Sequence, residues 1–296
     1  MSERRHIPRP DGGAIELVLD GDPEGTVLIF HHGTPGSGVP SPGMAGAATQ
    51  RGLRYVALAR PGYAGSTRRP GRRVVDVARD VEMVLDAFGR ERCLTLGTSG
   101  GGPHALACAA TLPDRVAAAA TIGCVAPFSA QGLDFLNGMA QENIDEFGAA
   151  VEGPAALRAF LDRAAPGFRF VTEEDVAEAL GGLVPAVDRA AIARGYAASL
   201  AEDIRTGLEP GDLGWFDDDL AFVDDWGFDP AGISVPVSLW QGEQDRMVPF
   251  AHGAWLARRL PRVRAHLLPD HGHLSITVDS IGAVLDDLIE AADARG

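Results

Sequence analysis

The sequence predicts an α/β fold: a doubly wound, mostly parallel sheet with one helical segment inserted late in the chain. Three observations predict it. Apolar, strand-like runs alternate with amphipathic helical segments from residue 14 to 126 and again from 235 to 294, the pattern of a sheet covered by helices on both faces. Residues 127–232, between those stretches, hold helical segments and no convincing strand. The same stretch carries the whole charge imbalance: 21 Asp and Glu against 6 Arg, a net of −15, which equals the formal charge of the 296-residue chain. The implied organisation is a core of residues 1–126 and 233–296 with a helical cap at 127–232.

In chain order, AIELVLDG (14–21) and TVLIFHH (26–32) are strand-like, and YVALARPG (55–62) follows a short helical stretch. RRVVDVARDVEMVLDAFG (72–89) is an amphipathic helix with Val74, Val77, Val81, Leu85 and Phe88 on one face. Leu94, Thr95 and Leu96 end a buried strand. Ala105, Leu106, Ala109 and Leu112 then recur at helical spacing, and RVAAAATIGCV (115–125) is the next strand. Within the cap, 154–164 and 173–180 are helical. VPVSLWQGEQD (235–245) and RAHLLP (264–269) are strands, and 249–260 and 275–294 are helices.

In sheets of this kind ligands bind at the carboxyl ends of the strands, so chemistry is sought there. Ser99 sits on the strand-to-helix turn of LTLGTSGGGPHAL, flanked by Gly97 and Gly101 as G-x-S-x-G. Small residues at those positions let strand and helix approach and leave the hydroxyl on a strained bend. The same glycines could cradle a phosphate, but all 26 basic residues are arginine, so a P-loop, a Schiff base and a Ser/Lys dyad are excluded. A serine nucleophile needs a base, a group that orients the base, and donors for the oxyanion. The loop HHGTPGS (31–37), the strand end GEQD with Asp245 and the loop PDHGHLS (269–275) with His271 and His273 supply candidates in the order Ser, Asp, His.

GTSGG around Ser99, HGTPG at 32–36, RPGYAGS at 60–66, QGEQDRMVP at 241–249 and DHGHLS at 270–275 together resemble the α/β-hydrolase fold family over nearly the full length. The resemblance is to its branch with a helical cap after the sixth strand, which includes proline iminopeptidase-like and carboxylesterase-like hydrolases. It implies Ser99 as nucleophile, Asp245 as triad acid and His273 as base, with the amides of Thr34 and Gly100 as the oxyanion hole. Asp270 and Asp225 are the alternatives to Asp245. Proline iminopeptidases usually carry tryptophan directly after the nucleophile, where this chain has Gly100, so an esterase acting on a small molecule is the implied activity. A serine nucleophile disfavours the family's aspartate-dependent dehalogenases and epoxide hydrolases. Carbon–carbon bond hydrolases share the triad, though their acidic substrates sit uneasily under a cap of net −15. A non-catalytic binding protein on the same fold is the reading from another class.

The remaining candidates have blander readings. His32 is expected to hydrogen-bond its own loop, and His31 is either a buried strand residue or part of the pocket wall. His271 and His273 form an H-x-H pair that could hold a metal together with His31 and His32, but no spaced carboxylate or cysteine completes such a site, so neither metal nor cofactor is expected. His104 and His252 are expected in helices without chemical duties, Asp217, Asp218 and Asp219 on a solvated face, and Trp215 and Phe216 in the cap's own core. Cys93, Cys108 and Cys124 lie in apolar stretches as reduced core residues. The acidity argues against nucleic acid. The chain has no membrane-length apolar run and no signal-like start, so a cytoplasmic protein is expected. If the acidic cap overhangs the entrance, cationic and neutral esters should be preferred over anionic ones.

Overall fold

The computed structural model describes residues 2–295. An eight-stranded sheet runs through it, built from β1 (Glu3–Pro8), β2 (Ala14–Gly21), β3 (Thr26–His31), β4 (Leu53–Leu58), β5 (Cys93–Thr98), β6 (Val116–Ile122), β7 (Val237–Gly242) and β8 (Val263–Leu268), in the order β1-β2-β4-β3-β5-β6-β7-β8. The β1–β2 and β2–β4 pairs are antiparallel and every other pair is parallel.

The strands alternate their side chains between two apolar layers, as period-2 geometry requires. On β3 and β4, Val27, Ile29, Val56 and Leu58 face one layer with α2 (Val77–Ala87), α3 (Gly102–Thr111) and α10 (Phe250–Arg259). Leu28, Phe30, Tyr55 and Ala57 face the other, with α1 (Pro42–Gln50) and α11 (His273–Asp293). Both faces are apolar because both are covered by helices.

Between β6 and β7 run α4 (Gln141–Glu152), α5 (Pro154–Arg169), α6 (Val176–Ala179), α7 (Ala186–Ala191), α8 (Ala197–Gly207) and α9 (Leu213–Val223). Their apolar residues, Leu157, Leu161, Ile204 and Trp215 among them, pack with Ala59, Tyr63 and Leu274 from the sheet side. A wide turn at Ile192–Tyr196 joins α7 to α8 around Gly195, whose φ of 101° lies in the left-handed region. The helix expected at 173–180 is realised only as the four residues of α6, followed by a tighter turn at Gly181–Leu183.

Asp217, Asp218 and Asp219 do not form a solvated face; all three are buried. Consecutive residues of α9 point about 100° apart, so each carboxylate meets a different neighbour. Asp217 takes both ends of the Arg68 guanidinium, at 2.8 and 2.9 Å. Asp218 pairs with Arg60 and Arg72, each at 2.7 Å. Burial pushes the Asp219 carboxyl up, and nearby Glu146 and Asp218 push it further. Trp215 is core, donating its indole N–H to Glu146 at 2.6 Å. Among the described residues no helix is long and apolar enough to cross a membrane.

Candidate active site

Ser99 follows β5 directly, at a φ of 52°, a conformation that side-chain-bearing residues rarely hold. Neighbouring glycines allow it: a Cβ on Gly97 would collide with the carbonyl of Gly101, and one on Gly101 with that of His31. Sequence reasoning places the bend correctly because only side-chain-free positions fit it.

His273 opens α11, and Asp245 lies in the turn after β7. Its Nδ1 is 2.7 Å from Asp245 Oδ2. The acid is itself fixed, its Oδ1 accepting from the amides of Met247 (2.9 Å) and Val248 (2.8 Å) and its Oδ2 from the Gln241 side chain at 3.2 Å. With Nδ1–H donated to the carboxylate, Nε2 carries the free lone pair. Burial pulls the imidazole pKa down, while the Asp245 charge, its hydrogen bond and the charge of Asp188 push it up; the net lies above the ordinary histidine value. Gly123 leaves room for the ring: a Cβ there would stand 2.8 Å from both His273 Cε1 and Nδ1.

Ser99 and His273 open onto one cavity of about 340 Å³. No hydrogen bond joins them directly among the described residues; such contacts often tighten only once substrate is bound. The walls are largely apolar, from Phe30 and Met44 on the sheet side to Phe168, Tyr196 and Leu200 on the insertion. Two charged side chains reach it, and both are engaged: Arg194 pairs with Asp279 at 2.7 Å, and Asp203 accepts from Ser37, Gly38 and Val39.

The Thr34 amide, in the loop after β3, has no partner among the described residues. The Gly100 amide belongs to the first turn after Ser99, where N–H groups lack an intrahelical acceptor. Gly100 packs so closely on Thr34 that a Cβ would strike its hydroxyl and stand 3.0 Å from Phe222, so a side chain there would require both neighbours to shift.

This loop is braced from beneath. Arg60 donates to the carbonyl oxygens of His32 and Gly33 and to the Thr34 hydroxyl, which itself donates to Asp218 at 2.8 Å. His32 Nδ1 meets the Gly33 carbonyl at 2.7 Å and its Nε2 accepts the Arg60 amide, so its work is structural.

Residues 26–279 match the family described as alpha/beta hydrolase fold. The chain belongs to this family. This α/β-hydrolase enzyme is 29% identical over 272 residues to a non-heme haloperoxidase of Rhodococcus erythropolis, covering 90% of this chain and 93% of that one. In structure it resembles the enol-lactonase of Burkholderia xenovorans (TM-score 0.71, 17% identity, 97% of this chain and 100% of that one). It also resembles an esterase of Exiguobacterium antarcticum (TM-score 0.70, 18% identity, 98% and 100%).

The α/β-hydrolase site keeps the other candidates apart from the cavity. His31 is fully buried in β3 against Thr95, and burial followed by the Arg60 charge pulls it down to about 3. His271 stands 3.9 Å from Asp279 instead of joining Asp245. Neither Asp270 nor Asp225 hydrogen-bonds His273. His104 and His252 are helical, as expected, but both are pinned: His104 to the Gly100 carbonyl at 2.9 Å, His252 between the Ala126 amide and the Phe135 carbonyl. Sequence reasoning missed Arg60, Asp188, Asp203 and Gln241, and it misplaced Asp218 on a solvated face. RPG at 60–62 was visible as a motif, but nothing in sequence linked Arg60 to an aspartate 158 residues later.

Proposed function

We propose that this enzyme hydrolyses a carboxylic ester of a small, uncharged molecule through an acyl-enzyme on Ser99, with residues 127–232 as a cap over the site. The observation that carries the reading is the 2.7 Å His273–Asp245 contact, whose imidazole shares the cavity with the strained Ser99.

Ser99 Oγ attacks the ester carbonyl carbon as its proton passes to His273 Nε2, and the carbonyl electrons move onto oxygen. The amides of Thr34 and Gly100 stabilise that oxyanion. Collapse expels the alcohol, which takes the proton from His273, and leaves the acyl group on Ser99. Water, deprotonated by the same nitrogen, repeats the attack and releases the acid with Ser99 restored. Asp245 holds the imidazole tautomer throughout and stabilises its cation.

An uncharged substrate is supported by walls that are mostly apolar and by the prior engagement of Arg194 and Asp203. Glycine at position 100 in place of tryptophan, and the lack among the described residues of an unengaged wall carboxylate to receive an amino terminus, favour an ester over an aminopeptidase substrate. Labelling with a fluorophosphonate tests the reading. The native protein should be labelled at Ser99 and the Ser99→Ala variant should not; an unlabelled native protein would favour a binding role instead.

A further inference from the structure

α11 begins with an unusual problem for a helix. The residue before it, Gly272, has no side chain with which to cap the free amides of the first turn. The acceptor comes from 85 residues upstream: Asp188, on α7 of the insertion, takes the His273 amide on Oδ2 at 2.9 Å. Its Oδ1 takes the Ser275 amide at 2.8 Å and the Ser275 hydroxyl at 2.7 Å. Ser275 Oγ in turn accepts the Gly272 amide at 2.8 Å, which closes the turn. Asp188 is wholly buried. A Cβ on Gly272 would stand 2.5 Å from either of its carboxylate oxygens, so the glycine makes way for the carboxylate.

We propose that Asp188 is a positioning residue for His273, holding the first turn of α11 so that the imidazole stands where it can serve Ser99. The inference rests on the reading of His273 as the base. α7 leads directly into the turn bearing Arg194 and Gly195, which wall the cavity. One carboxylate therefore ties the segment that covers the substrate to the residue that moves its proton. A shift of about 1 Å in a reacting group can cost about a hundredfold in rate, so a lost anchor is felt at the chemistry.

The charged groups around the imidazole are Asp245, from the turn after β7, and Asp188 from α7; the Arg194–Asp279 pair stands at the cavity wall, with His271 beside Asp279. Asp188→Asn keeps the shape, removes one of the two carboxylate charges acting on His273, and leaves one amide facing an NH2 group.

The test is a double-mutant cycle on the full chain with a neutral p-nitrophenyl ester. Asp188→Asn should lower kcat about tenfold or more, with KM changed less than about threefold, and should move the acid limb of the pH profile to lower pH. In a His273→Ala background the same substitution should change the residual rate less than about twofold, because the group it positions is gone. Equal losses in both backgrounds, or a folded Asp188→Asn protein with native kcat and an unmoved acid limb, would overturn the proposal. If Asp188→Asn does not fold, Ser275→Ala removes one of the three Asp188 contacts together with the acceptor of the Gly272 amide and carries the same cycle, with about a threefold loss expected only when His273 is present. His273→Ala retaining most of the activity would instead overturn the base assignment beneath it.

Discussion

The guanidinium of Arg60 meets the carboxylate of Asp218 at 2.7 Å with both side chains out of solvent, and the same carboxylate oxygen receives the hydroxyl of Thr34. A residue of the insertion thereby sets the floor of the loop proposed to hold the oxyanion. Burial pushes the Asp218 carboxyl up, but Arg60 and Arg72 outweigh it and hold the group well below the usual carboxylate range.

Removing one partner of such a pair leaves buried charge uncompensated. Asp218→Ala should cost about 3–5 kcal/mol of unfolding free energy, read by urea denaturation. By contrast, Glu174→Ala, on an exposed residue before α6, should change it by less than about 0.5 kcal/mol. Similar losses for both would show that the Arg60–Asp218–Arg72 group is not a structural anchor.

Gly123 has a φ of 57°, and a Cβ there would press within 2.8 Å of the His273 ring. Gly123→Ala should lower kcat by about ten- to a hundredfold and, because alanine is strained at that φ, should also cost about 1 kcal/mol or more of stability. Native kcat in this variant would mean that the ring need not stand where the structure has it.

The pH profile follows from the sign of one shift. Protonated His273 cannot accept the serine proton, and its folded pKa lies above the ordinary value of about 6.5. Activity should therefore be complete only well above that value and fall as pH drops through the raised pKa. A rate that stays level down to pH 5 would contradict a histidine base.

Charge selectivity is the fourth prediction. Asp188, Asp217, Asp218 and Asp219 are buried, and the two charged side chains at the cavity wall, Arg194 and Asp203, are already paired within a largely apolar lining, so the lining itself selects against charge. In a matched trio of esters, the neutral one should have the highest kcat/KM, with both charged ones disfavoured and raised ionic strength changing the order little. A cationic ester preferred at low salt and not at high salt would show that outward acids steer the substrate instead.

Much of this was legible in the sequence, for physical reasons. Strands buried on both faces show as apolar runs, and the bends at their ends need glycine, so Ser99, Asp245 and His273 stood at identifiable strand ends. β1 was missed because ERRHIP is an edge strand with one buried residue in six, and it carries no apolar pattern. The three aspartates of α9 were misread because a run of charge looks solvated until its partners are known. Arg60, Arg68 and Arg72 lie about 150 residues earlier, and only the folded chain brings them there. Asp188 and Asp203 were illegible for the same reason, since each binds backbone amides, which have no signature in sequence.

The most direct measurement is the mass of the protein quenched in acid during steady-state turnover of a neutral p-nitrophenyl ester, followed by peptide mapping. A serine acyl-enzyme predicts a fraction of the protein heavier by one acyl group, carried on Ser99 and absent from Ser99→Ala, whose turnover should fall by about four to six orders of magnitude. An acyl group found on another residue, or a Ser99→Ala protein that keeps turnover within about tenfold of native, would contradict it.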